Sequence, residues 1–311
     1  MPLHPRTATI ALAASLAALL TGCSSTPKPE PRKRAIEVHD IERPMAERAP
    51  DPIGKYLADL DVAMRHWTTL TLTARDEGER AEARVLEQHL QARSNRRLAE
   101  LIEQLQTGPP MNRVRAAAAV GFSRSPEALS PLLGALQDPK PDVVHNALLG
   151  LALLEDPATP LELVCAILTA SPDPQTRSNA AYAMRCIVAK GGSAGCVIPA
   201  AREALIDSEP FVRAQAALIA GLGGDSESVQ ALADMLQDPS HLVATAAIEA
   251  LKEIGLRSDR DRGRAARALT AALVRGDKQL RPNVLRALAR LSSTNYGDDQ
   301  DEWVRWAARL P

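Results

Sequence analysis

The sequence predicts an all-α solenoid, a stack of helical hairpins, and three observations carry that expectation. First, six segments resemble one another along the 311-residue chain: "VRAAAAVGF" from Val114, "VVHNALLGL" from Val143, "TRSNAAYAM" from Thr176, "VRAQAALIA" from Val212, "LVATAAIEA" from Leu242 and "LRPNVLRAL" from Leu280. Second, hydrophobic residues make up 45% of the chain but aromatics only 3%. The core must therefore be built from Ala, Leu, Val and Ile, which suits closely stacked helices better than a sandwich of sheets. Third, an acidic residue with proline precedes most of the segments, in "QDPKPD", "SPDP", "DSEP" and "QDPS". Aspartate caps a coming helix and proline suits its first turn.

The chain opens with a short segment, Met1 to Thr7, that carries Arg6, followed by the uncharged run "ATIALAASLAALL", Ala8 to Leu20. That run is shorter than the roughly 20 residues that span a bilayer, and the layout is that of a secretory signal. It ends in "LTGC", Leu20 to Cys23, which resembles the lipobox of bacterial lipoproteins: an aliphatic residue, two small residues and a cysteine. The resemblance implies cleavage between Gly22 and Cys23, diacylglycerol on the Cys23 sulfur and acylation of the new amino group. Two or more acyl chains make a stable anchor. Ser24 stands where an aspartate retains many such lipoproteins in the inner membrane, so the analogy points to the outer membrane, facing the periplasm.

Residues 1–22 are thus read as a signal peptide and 23–50 as a lipidated tether. The stretch "SSTPKPEPRKRAIEVHDIERPMAERAP" is rich in proline and charge and has too little apolar surface to offset the entropy of ordering. As a coil it would reach roughly 30 Å, and at most about 90 Å when pulled straight. Residues 51–94 read as an N-terminal helical cap. The run "RAEARVLEQHLQARSNRRLAELIEQL" is spaced for one long or broken amphipathic helix.

Residues 95–291 hold about six repeats. Four positions after each segment start lie Ala118, Ala147, Ala180, Ala216, Ala246 and Val284, and four further on Phe122, Leu151, Met184, Ala220, Ala250 and Leu288. Positions 0, 4 and 8 share one helical face, so each segment offers a buried stripe with a small residue at the closest approach. The starts are separated by 29, 33, 36, 30 and 38 residues, and leucine-rich runs such as "EALSPLLGAL" and "SVQALADML" precede them. Each unit reads helix, tight turn, helix. This resembles HEAT repeats, whose signature places an aspartate in the turn, then Val-Arg, then alanine and leucine at helical spacing. Arg115, Arg177, Arg213 and Arg281 take the arginine position, while Val144 and Val243 replace it. The resemblance implies a right-handed superhelix of helical hairpins. Residues 292–311 are read as a capping helix with Trp303, Trp306 and Leu310 on one face, closing the open end of the stack. Trp67 is a candidate for the same task at the other end.

Three positions after each start come Ala117, Asn146, Asn179, Gln215, Thr245 and Asn283. In armadillo proteins, relatives of the HEAT class, a row of asparagines holds an extended peptide backbone. Asn146, Asn179, Gln215, Thr245 and Asn283 are therefore candidate peptide-binding residues, or else they bond neighbouring repeats or water. Catalytic signals are weak. "GGSAG" places Ser193 in a Gly-x-Ser-x-Gly pattern, but a nucleophile elbow needs a preceding strand, and repeat helices flank this one. The histidines are isolated and no metal-binding spacing occurs. Cys186 and Cys196 are candidates for a disulfide closing that loop, or for buried free thiols, and Cys165 has no evident partner. Arg257, Arg260, Arg262, Arg264 and Arg267 are interleaved with Asp259 and Asp261, without aromatics, which reads as a solvated face. The net charge of −1 implies no polyanionic partner.

These readings combine into a membrane-anchored periplasmic scaffold or adaptor that mediates protein–protein interaction in the cell envelope. Its expected partners are another envelope protein and, through the lipid, the membrane. No nucleic acid, no small-molecule substrate and no cofactor other than the covalent lipid on Cys23 is expected. A structural spacer without a specific partner, and a hydrolase using Ser193, are the alternative readings.

Overall fold

A computed structural model describes residues 52–311. Gly22, Cys23 and the segments read as signal and tether lie outside the described residues. Those described form two compact units, one ending at Leu90 and the other spanning Gln91–Pro311.

In the first unit, α1 (Ile53–Thr73) places Leu57, Leu60 and Met64 on one buried face. After the turn, the Asp76 carboxylate accepts the Glu79 amide at 2.9 Å and starts α2 (Glu77–Arg96), which carries Glu77 and Glu79 at its positive end and Arg93 and Arg96 at its negative end. The long amphipathic run breaks at Arg97, where the backbone leaves helical geometry (φ −126°, ψ 32°) before α3 (Leu98–Thr107).

The second unit is built from six hairpins: α3 with α4 (Pro110–Phe122), α5 (Leu129–Ala135) with α6 (Pro141–Leu154), α7 (Glu162–Ala170) with α8 (Pro174–Ala189), α9 (Val197–Ala204) with α10 (Pro210–Gly223), α11 (Val229–Asp234) with α12 (His241–Gly255), and α13 (Asp259–Arg275) with α14 (Arg281–Leu291). The second helix of each hairpin packs on the second helix of the next, from α4 to α14, giving one continuous layer. At the fourth and eighth positions of the stripe all twelve residues are buried, Ala118, at 7%, being the most exposed, while of the segment starts Val143, Val212 and Leu280 are buried and Val114, Thr176 and Leu242 half-buried. No strand occurs among the described residues, and the unit is the all-α solenoid that the repeats predict.

Small residues set how closely that layer packs. A Cβ on Gly121 would lie 2.3 Å from the Gly150 carbonyl oxygen, and one on Gly150 would lie 2.5 Å from the Ala117 carbonyl oxygen. Helices α4 and α6 thus touch backbone to backbone, and Gly221 meets Ala250 in the same way between α10 and α12. At the last hairpin, α15 (Gln300–Ala308) covers α13. Trp303 is fully buried there, edge-on to Tyr296 and Trp306, and its indole N–H donates to the Gly297 carbonyl at 3.0 Å.

Two details differ from the sequence reading. In the first repeat the arginine that matches Arg177 and Arg213 is Arg113, not Arg115, because Pro110, Pro174 and Pro210 each open a helix and the arginine follows three residues later. The turn aspartates also act mostly outside the cap position. Only Asp173 is a true N-cap, accepting the Thr176 amide. Asp138, Asp207 and Asp238 instead accept the amide two residues on, from Lys140, Glu209 and Ser240. Such a side-chain turn bends the chain before the helix begins.

Candidate interaction surface

The repeat positions singled out by the sequence lie on the second helices, α4 to α14, and most of their polar groups are already used between repeats. Asn146 on α6 donates from Nδ2 to the Val114 carbonyl of α4 at 2.8 Å, and Asn179 on α8 donates to the His145 carbonyl of α6 at 3.4 Å. Gln215 on α10 accepts the Arg185 Nε–H of α8 at 2.7 Å. Asn146, Asn179 and Gln215 are 8%, 1% and 0% exposed. They do not present a groove to a peptide. An amide at the edge of an alanine stripe sits where the next helix arrives, and the buried polar group takes the nearest backbone acceptor. Thr245 and Asn283 are half-buried and bond within their own helices, to His241 and Arg286.

A second row runs along the hairpin turns. Arg113 grips Asp138 through Nε and Nη2 at 2.7 and 3.2 Å, Arg177 grips Asp207 at 2.7 and 3.0 Å, and Arg213 grips Asp238 at 2.9 and 2.9 Å. Where Val144 replaces the arginine, the neighbouring His145 reaches Asp173 at 3.0 Å and the Thr176 hydroxyl at 2.9 Å, so the row continues with a different donor. It stops at Val243. The Arg113 bond holds the Asp138 carboxyl below the usual carboxylate range. Burial pushes the Asp207 and Asp173 carboxyls up, but for Asp207 the Arg177 guanidinium and the Glu209 amide outweigh it, and for Asp173 the Thr176 hydroxyl and amide with His145 do so; both end lowered. Arg281, at the last repeat, turns to the Asp298 carbonyl at 2.9 Å.

The cysteines pair differently from the sequence expectation. Cys165 on α7 and Cys196, the residue before α9, form the disulfide, with Cα atoms 6.2 Å apart. Cys186 is the free, buried thiol, packed on Ala152 and Ala183, and burial pushes its pKa up. The reason is layering: Cys186 belongs to α8 and faces the second-helix layer, whereas α7 and α9 are neighbouring first helices. The readable signal was the separation of 31 residues, about one repeat, which stacks equivalent positions on adjacent units.

Ser193 is exposed in the turn between α8 and α9. Gly191 (φ +99°) ends α8 there, so helices stand on both sides of the serine and the strand required by a nucleophile elbow is missing. Among the described residues no three His, Cys, Asp or Glu side chains converge as a metal site would require, and no helix is long and apolar enough to cross a membrane.

One cluster was not anticipated. On α8 and α10, Tyr182 and Phe211 rings lie 6.4 Å apart, and the Arg185 guanidinium lies 5.2 Å from the centre of the Tyr182 ring. Arg185 and Tyr182 are half-buried, Tyr182 packing against Ala152, Ala183 and Cys186, and no carboxylate pairs with Arg185 among the described residues. The Gln215 Nε2 beside them is buried without a hydrogen-bond partner. Turning that amide over would set N–H against N–H at Arg185, so the orphan donor is a property of the packing.

Comparison with known proteins follows the same lines. The family model "HEAT repeats" matches residues 98–185, 161–252 and 198–289, together more than half of the chain. No curated protein matches. Among solved structures, a computationally designed armadillo repeat protein for modular peptide recognition aligns with a TM-score of 0.47 and 20% identity over 62% of this chain and 99% of its own. The complex of the two chains of phycocyanin lyase from Nostoc aligns with a TM-score of 0.40 and 18% identity, covering 83% of this chain and 100% of that one. Human deoxyhypusine hydroxylase in complex with glycerol aligns with a TM-score of 0.36 and 20% identity over 80% and 91%. Arrays of this class are typical of scaffolds that engage other proteins. The matched residues and the six stacked hairpins make this chain a member of the HEAT-repeat family.

Proposed function

We propose that this protein is a scaffold or adaptor held to a bacterial membrane, the outer membrane facing the periplasm, by lipid on Cys23, and that its HEAT array binds another envelope protein. The observation that carries the reading is "LTGC" at the end of an apolar signal-like run in a chain whose remainder is a HEAT array. The proline-rich residues 24–50 then serve as a spacer between lipid and array. Tyr182 and Arg185 supply the anchor of the partner surface. Tyrosine and arginine carry much of the binding energy at protein interfaces, and these two retain exposed surface and an unpaired charge. The buried amide row leaves that role to them.

The test is mass spectrometry of the amino terminus of protein extracted from membranes, with a Cys23→Ser variant alongside. A mature chain that begins at an acylated Cys23, and loss of the variant from the membrane fraction, support the reading. An unmodified cysteine, or a variant that stays membrane-bound, refutes it. Site-specific crosslinking from position 185 in intact cells addresses the partner. One recurrent adduct supports an adaptor, whereas its absence supports the spacer.

A further inference from the structure

We propose that the notch where α12 ends, α13 begins and α14 ends is a binding site for a phosphate-type oxyanion. Its cavity of about 260 Å³ is lined by Arg257, Arg262 and Arg290, with Ser292 and Asp259. Three arginines thus share the notch with one acidic residue. Like charges drawn to one concave surface repel unless an anion joins them.

The arginines of this region divide into two sets. Arg264 donates to the Ser226 carbonyl at 2.8 Å and to Asp261, and Arg267 donates to the Leu310 and Pro311 carbonyls. These tie repeats and chain end together and lie outside the notch. Those lining the notch retain donors. Arg290 has no hydrogen bond or ion pair among the described residues. Arg262 gives only one terminal nitrogen, Nη2, to Asp259 at 2.8 Å, and its Nε is buried away from the notch. Arg257 uses only Nη2, on the Leu222 carbonyl. The Ser292 oxygen accepts the Thr294 amide at 3.0 Å, which leaves its proton to donate.

A phosphate group has the oxygens to take several such donors at once, and arginine meets it with two parallel N–H groups. The competing carboxylate is weak: the Asp259 side chain is 76% exposed, and an ion pair that open contributes little, so it yields to a ligand that bonds several arginines at once. The source of the phosphate is either a phospholipid headgroup or a soluble phosphate compound. The chemistry recognised is the same.

The experiment is calorimetric titration of the full-length protein in non-ionic detergent micelles with pyrophosphate and, separately, with dihexanoyl phosphatidylglycerol. Wild type is compared with Arg290→Gln, Arg262→Gln and Arg260→Gln, and circular dichroism melting reports the fold of each. Saturable binding of either probe is expected, weakened about tenfold or more by Arg290→Gln, as befits a lost charge-assisted bond. The melting temperature should not change, and Arg260→Gln, on α13 with Arg262 but outside the notch, should bind as wild type does. Binding of pyrophosphate alone identifies a soluble source, and binding of the lipid probe identifies a headgroup. The proposal is overturned if neither probe saturates, if Arg290→Gln binds both as tightly as wild type, or if Arg260→Gln loses as much, which would mean diffuse attraction.

Discussion

Gly150 and Asn146 lie four residues apart on α6 and meet the preceding repeat by different means. The glycine allows two backbones to touch, since an added Cβ would lie 2.5 Å from the Ala117 carbonyl oxygen and 2.7 Å from Leu132. Backbone cannot yield cheaply, so Gly150→Ala should lower stability by about 1–3 kcal/mol. Gly134, on α5, has nothing within 4 Å of its added Cβ, and Gly134→Ala should raise stability by up to about 1 kcal/mol through helix propensity. Denaturant titration of both variants checks the opposite signs. Asn146→Ala removes a bond to the Val114 carbonyl and leaves a small void, and should cost about 1–3 kcal/mol. A variant as stable as wild type would show that the amide does not join the repeats. The alanine stripe was legible because burial on a helix leaves a period of four. The direction of the amides was not, because the sequence shows that Asn146 lies at the edge of the stripe but not whether solvent or the next helix covers that edge.

At the scale of elements, the turns carry the charges that hold consecutive hairpins. Asp138, Asp173 and Asp207 have carboxyls lowered in the folded chain, as have Asp225, where the Arg202 guanidinium and the Ser228 hydroxyl outweigh burial, and Asp261, bonded by the Ser226 hydroxyl. A lowered folded pKa means that this stabilisation is fully present above the unfolded value, near 3.9, and is lost as pH falls through the folded values. The melting temperature should therefore be insensitive to these groups between about pH 5 and 8 and fall steeply below about pH 4. An unchanged melting temperature at pH 3 would contradict the row. The Cys165–Cys196 bond closes a loop with a sequence separation of 31, which on the chain-entropy model stabilises by about 4 kcal/mol. Reduction, or the double serine variant, should lower the melting temperature, while Cys186→Ser should leave the disulfide intact on a non-reducing peptide map. The turns themselves were legible in "QDPKPD" and "DSEP". Arg113 was displaced by two residues because "RVRAAAA" offers two arginines, and only the proline opening the helix distinguishes them.

For the whole molecule, the Gln91–Pro311 unit joins each repeat to its neighbours alone: Asn146 to Val114, Asn179 to His145, Arg177 to Asp207, Arg213 to Asp238. Such an array behaves as a chain of nearest-neighbour couplings, which is the property that lets an extended surface serve a partner without an enclosed pocket. Native-state hydrogen exchange on the full-length chain, wild type against Arg177→Ala, tests this most directly. Protection should fall in α8, α9 and α10 and stay at the wild-type level in α13, α14 and α15. A uniform loss from Gln91 to Pro311 would contradict it, because the unit would then be a single cooperative core and not a stack of paired repeats.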